Sequence, residues 1–382
     1  VTDLPVLTTW TDVGGNVWEQ TSEIVRYTSL HFSDEHNDDG EWTVELPFDE
    51  LAQPLTAARD LAMVEFRGWS GAYRIRPNWG FDPETGERTL EVSGAGTLDI
   101  LAGETAWPEP GLPLAQQTLP ANLFSGTADS VIRQIVRENY VNRAGDSLEV
   151  GVASGLGSDV VARGKFTNLR ELVVKKAEVG GVGVDVRLVR TSESRARLEL
   201  IVYAPRDLTA DVTLSESLGT LAGYRTSIDP PTLTHAIVPS PSGYTKVTTP
   251  ESLADAAAWG EWWAVVESID SFDQPDIVQA GEEALKEGRA KISVALEAND
   301  APGLVAFRDY QAGDLVSFLL EAGLSGSDVV SAIETTVEVS DDGVTVEVVP
   351  KIGDPEADDP YFGLSELIRS QDRRLRAQER KG

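Results

Sequence analysis

Three histidines, His31, His36 and His235, and sixty-three aspartates and glutamates are the groups best suited to acid–base chemistry in this sequence. The histidines are too few and too scattered to suggest a nucleophile–base–carboxylate triad. No Gly-x-Ser-x-Gly elbow is present. There is no cysteine, which removes thiolate nucleophiles, thiolate zinc sites, iron–sulfur clusters and disulfides together. Gly94-Ala95-Gly96 begins like a dinucleotide-binding turn, but Asp99 stands where the third glycine is needed. Gly164-Lys165 is followed by Phe166 and not by the Ser or Thr that holds magnesium in a P-loop. Asp34-Glu35-His36-Asn37-Asp38-Asp39 offers hard oxygen ligands for calcium, yet Gly40 falls one place too late for an EF-hand loop. The run reads as a solvated acidic hairpin tip. Trp259, Trp262 and Trp263 could stack on sugar rings, or could belong to a core or an interface, the commoner use of tryptophan. No catalytic set, cofactor site or metal site is therefore expected, and the chain does not read as an enzyme.

These residues must be carried by a long chain. It has 382 residues, 41% of them hydrophobic and 25% charged, enough for two or three domains with real cores. Lys and Arg number 32, and the net charge is −31. A surface this acidic repels a phosphate backbone and an anionic bilayer alike. No apolar run reaches the roughly 18 residues that span a membrane, so no membrane anchoring is expected.

The elements divide the chain in four. Residues 1–103 read mostly as strands, at 17–27, 42–46, 63–67, 72–77 and 89–93, with a short helix at 48–55. Pro83 and Gly86 mark a turn between two of the strands. A proline-rich crossing at 104–122 opens a second unit, 104–206. Helices are predicted there at 129–139 and 166–179, the second started by Thr167 or Asn168 and stopped by Gly180-Gly181. Strands at 182–189 and 195–202 make the unit α+β. Residues 207–350 return to strands, with an exposed loop at 239–250, a helix at 276–288 and a tight hairpin at Asp341-Asp342-Gly343. Residues 351–382 hold an acidic linker and a final helix. The fold class is mainly β with an α+β insert.

Three stretches carry a family resemblance. Thr89-Leu-Glu-Val-Ser-Gly-Ala-Gly-Thr-Leu-Asp-Ile-Leu101 resembles the strand-to-helix segment that closes the first domain of phage tail hub proteins. Phe166-Thr-Asn-Leu-Arg-Glu-Leu-Val-Val-Lys-Lys-Ala177, followed by the glycines of 180–183, resembles the helix of their second domain. Tyr310-Gln-Ala-Gly-Asp-Leu-Val316 resembles a turn that enters a strand of a late β-barrel. The order of elements agrees over about residues 1–350 with the tail hub, or tail-associated, proteins of long-tailed actinobacterial phages, which are similar to the baseplate hubs of contractile tails. The resemblance implies a virion protein at the tail tip, without catalytic residues. It implies a homotrimer whose two β-barrel domains per subunit, 1–103 and 207–350, form a pseudo-sixfold ring that continues the tail tube, with smaller domains decorating it. The implied partners are the distal tail protein, the tape measure, and tail-fibre or spike proteins. DNA would pass through without specific binding, as the charge also requires. A carbohydrate-binding or carbohydrate-degrading virion protein is the alternative.

The last helix has its own signal. Leu364, Ile368, Gln371, Leu375 and Gln378 recur at steps of four, three, four and three, the seam of a coiled coil. From Pro360 to Gly382 there are six basic and three acidic residues, a local charge of +3 on an acidic body. These five residues are the expected interface.

Overall fold

The computed structural model describes residues 4–47, 55, 60–81, 88–145, 147–266, 274–298, 304–320, 325–340 and 343–353. Short runs of β-branched and aromatic residues set the architecture, which is mainly β. One sheet has six strands in the order β13 (Gly183–Arg190), β14 (Arg195–Tyr203), β2 (Trp18–Ile24), β1 (Val6–Asp12), β5 (Leu61–Phe66) and β6 (Trp69–Arg74). A second follows the order β16 (Leu221–Asp229), β20 (Lys291–Ala298), β23 (Gly343–Ile352), β22 (Ser325–Ser340), β3 (Ser29–Glu35), β4 (Glu41–Pro47), β8 (Arg88–Ala95) and β7 (Arg76–Phe81). Two more strands bring this sheet to ten: β21 (Leu315–Leu319) pairs with β22 and with the short parallel strand β15 (Thr213–Ser215).

The six-stranded sheet is apolar on both faces, which is why Leu61-Ala-Met-Val reads as a continuous apolar run rather than an alternation. Leu7, Ala62, Val64 and Phe66 face one core, shared with the ten-stranded sheet. Phe32, Phe66, Trp69 and Phe307 interlock at its centre, with Phe32 stacked on Trp69 at 5.5 Å. Trp10, Leu61 and Met63 face a second core under the helices α1 (Ala128–Val136) and α2 (Leu169–Gly180). Around these helices lie two small pairs, β10 (Asn122–Thr127) with β11 (Asp159–Gly164) and β9 (Thr105–Ala106) with β12 (Thr167–Asn168). A third, small core belongs to an insert between β16 and β20. There α4 (Gln274–Glu287) covers one face of the sheet β18 (Gly243–Val247), β17 (His235–Ser240) and β19 (Trp263–Val265), and α3 (Pro250–Trp259) links two of its strands.

The six-stranded sheet joins strands of 1–103 to strands of 104–206, and the ten-stranded sheet joins strands of 1–103 to strands of 207–350. The N-terminal β3 pairs with β22, Leu30 opposite Val337, and β2 pairs with β14. Among the described residues no sheet closes into a barrel. The edges β6 and β13 of the six-stranded sheet flank a 3-10 turn, Thr97–Gly103. The Thr97 hydroxyl donates to the carbonyl of Val186 there, a single side-chain bond in place of a strand ladder. The expected helices at 129–139 and 166–179 are α1 and α2. The first continues as a π-helical turn, Arg137–Ala144. The second is capped by Asn168, whose side chain accepts from Glu171 N, and ends at Gly181 in the left-handed region. The expected loop at 239–250 holds β18. The expected helices at 48–55 and in 351–382 fall on residues outside the described ones, apart from Leu55 and 351–353.

Candidate functional site

The outer face of the ten-stranded sheet is fixed by register. Leu30, Phe32, Trp42, Val44, Leu90, Val92 and Val337 point inward to the core. Their neighbours in each strand point outward, since side chains alternate. Across the strands, Glu91 lies opposite Glu45, Glu45 opposite Ser29, Ser29 opposite Glu338, and Glu338 opposite Thr345. The next row runs Ser93, Thr43, His31, Thr336 and Glu347. Glu41 and Glu334 extend the same face. Among the described residues its cations stand at the margin: Lys351 pairs with Glu334, and Arg76 reaches Asp99 at 3.8 Å. His31 sits within it, with Nδ1 3.1 Å from the Thr336 hydroxyl and Nε2 3.8 Å from Glu41. Like charges placed directly opposite, as in Glu45–Glu91, weaken a sheet. Rows of carboxylates accept hydrogen bonds and donate none, so an acidic wall repels a phosphate backbone.

Where the two large sheets meet, titratable groups crowd the contact. Asp34, on β3, lies near Asp185 and Arg187 on β13. Burial, opposed by Arg187 and reinforced by Asp185, pushes its carboxyl up to about 7, although the Trp69 side chain and Ala312 N–H donate to it. Burial also raises Asp185, against the pull of Arg187, whose Nε donates to it at 2.8 Å. His36 Nδ1 is 3.0 Å from the Tyr203 hydroxyl, and burial holds its pKa below the ordinary histidine value despite Asp314 nearby. The run Asp34–Asp39 is therefore no solvated tip. The Asn37 side chain is buried, accepting from Val184 N at 2.8 Å and donating to Val182 O at 3.3 Å, while Arg170 holds Asp38 and Asp39. The loop pins one sheet to the other. Among the described residues no three acidic or histidine side chains converge as a metal site.

The tryptophan cluster lies on the insert. Trp259, Trp262 and Trp263 are each about half exposed, so they form a surface and not a core. His235 stacks on Trp263 at 4.4 Å, Lys246 Nζ stands 4.3 Å from the ring centre, and Trp263 Nε1 donates to Glu261 at 3.0 Å. The glycines of 94–96 have a structural use: a Cβ on Gly94 would lie 1.9 Å from Arg74 O, and one on Gly96 1.7 Å from Asp39 O. Leu364, Ile368, Gln371, Leu375 and Gln378 lie outside the described residues. The glutamate wall was missed in the sequence; its only local signal is the alternation in Glu41–Glu45 and Glu334–Glu338.

The chain is mainly β, with side chains that pin its two large sheets together, and its fold is that of phage tail proteins. The 43 kDa tail protein of prophage MuSo2 from Shewanella oneidensis superposes with a TM-score of 0.51 at 14% identity, over 92% of this chain and 97% of that one. The prophage tail protein gp18 from Listeria monocytogenes gives 0.53 at 12% identity, over 97% and 99%. The tail protein from Neisseria meningitidis gives 0.50 at 13%, over 91% and 96%. No curated protein matches the sequence. The chain belongs to the Siphovirus ReqiPepy6 Gp37-like protein family, whose pattern covers residues 12–354.

Proposed function

We propose that this chain is a structural component of a phage tail tip, forming a trimeric hub ring that continues the tail tube and joins it to receptor-binding or cell-puncturing parts. The observation that carries the reading is the glutamate face of the ten-stranded sheet. A conduit for DNA needs a wall that does not bind phosphate, and this face gives up cross-strand stability to be anionic. Family membership and the fold shared with prophage tail proteins over nine-tenths of the chain support the same reading. The neighbours are the distal tail protein, the tape measure, and fibre or spike proteins, and the chain acts without catalysis. Native mass spectrometry tests the assembly: a species of three chains, each of 41.2 kDa, is expected. A single chain at all concentrations up to tens of micromolar, with no rings in negative stain, overturns the reading.

A further inference from the structure

A cleft of about 730 Å³ runs between the insert and the helical unit, lined by α4 on one side and by Val179 of α2 and Asp159 of β11 on the other. Its floor is apolar. Val179 lies at the margin of the helical core and Val278 at the margin of the insert core, and both are only partly covered. Its rim is acidic. Glu283 and Lys286 are already bound to α2, through Lys176 and the carbonyls of Glu178 and Val179, while Asp159 and Glu282 stand exposed. The chain that leaves β23 starts nearby. Ile352, its last residue, lies opposite Leu296 in an antiparallel pair, so β20 leads back from that point to Lys291 and to the end of α4.

We propose that this cleft receives the chain's own C-terminal segment, 364–378, laid as a helix antiparallel to α4, a strap that ties the insert to the body. The contact is made within one chain, so it does not rest on the ring. Four observations favour this occupant. The first is reach. Leu296 is nine residues from Glu287, about 30 Å if extended, and Leu364 is twelve residues from Ile352, a reach of about 40 Å. The second is length. Leu364 to Gln378 covers about 21 Å of helix, as does the 14-residue α4. The third is the stripe. Leu364, Ile368 and Leu375 share one helix face, and an apolar strip laid over Val179 and Val278 joins two cores that the cleft separates. The fourth is charge. The segment from Pro360 to Gly382 carries +3 on an acidic body, and the cleft meets it with Asp159 and Glu282. At 100° per residue Arg374 falls at one edge of the stripe, the edge that suits this rim, and Asp372 and Glu379 fall at the other. Arg369, Arg373, Arg376 and Arg380 fall on the opposite face and stay in water, so burying the stripe strands no charge.

The chain has no cysteine, so pairs of thiols can be placed in it without background. Gln274→Cys stands at the far end of the cleft, where the antiparallel course brings Gln378. In the full chain, Gln274→Cys with Gln378→Cys should be joined by a short bis-maleimide within a single chain. Gln274→Cys with Ser365→Cys should not, because Ser365 then lies about 20 Å away along the helix. Denaturing gels and peptide mass spectrometry read both. Linking through Ser365 as readily as through Gln378, or no linking in either protein, overturns the proposal. Links that join two chains, and that fade on dilution with unlabelled wild type, mean that the cleft takes the tail of another copy, and they overturn it too. A second measurement needs no thiols. Ile368→Glu with Leu375→Glu, shown to be folded by circular dichroism, should speed hydrogen exchange in α4 on the order of tenfold over wild type. Exchange in α4 that is unchanged in this variant overturns the strap.

Discussion

Asp34 holds a proton that an exposed aspartate would release. Its carboxyl is pushed from 3.8 up to about 7 by burial between the two large sheets. As pH rises, the unfolded chain loses this proton first, so the stability that Asp34 contributes is whole below about pH 4 and is lost as pH climbs through about 7. Asp39, raised to about 6 by burial, and Glu35 and Asp185, also raised by burial, slope the same way. The decisive quantity is therefore a difference between proteins. Asp34→Asn should flatten the fall in melting temperature between pH 5 and pH 8 and be more stable than wild type at pH 8 by on the order of 1 kcal/mol. Parallel curves for the two proteins would contradict this. Gly96 answers to geometry instead of charge. With no room for a Cβ against the Asp39 carbonyl, Gly96→Ala should cost about 1–3 kcal/mol, read as a lower urea midpoint at unchanged slope. An unchanged midpoint would mean that the β3–β4 loop yields freely.

At the scale of elements, the insert is held to the body by α4. Lys176 of α2 and Glu283 of α4 form a buried pair at 2.8 Å, and Lys286 Nζ reaches the α2 carbonyls of Glu178 and Val179 at 3.3 and 3.1 Å, where a cation suits the helix end. Lys176→Met leaves Glu283 largely buried with Gln279 as a hydrogen-bond partner and should cost about 1–3 kcal/mol, while adding Glu283→Leu should recover most of it. Urea denaturation reads both, and equal losses in the single and double variants would show that the pair does not couple. The elements themselves differ in how far local sequence announces them. α2 was legible because Asn168 caps it and Gly181 can turn left-handed, and β13 and β14 because their residues alternate. β18 was not, since Ser, Pro and Thr around it read as loop. Local sequence also leaves strand partners open. Nothing near Leu30 points to Val337, some three hundred residues away, yet that ladder makes the glutamate wall. Asn37 looked solvated for the same reason: the backbone groups of Val182 and Val184 that bury it are distant in the chain.

At the scale of the molecule, the charge of −31 is unevenly used. Intersheet carboxylates are buried or paired, and the outer face of the ten-stranded sheet stays openly acidic. Duplex DNA should show no micromolar binding to wild type at 150 mM salt. Replacing Glu45, Glu91 and Glu338 with lysine should create binding that weakens steeply as salt rises, a slope that anisotropy titrations read directly. Charge reversal without any gain of binding would mean that this face is not open to DNA. Electron cryomicroscopy of the assembled oligomer reads where the glutamate wall lies. A threefold ring with Glu45, Glu91, Glu338 and Glu347 facing the bore is expected. A ring with those residues on its outer surface, or buried between subunits, would contradict it.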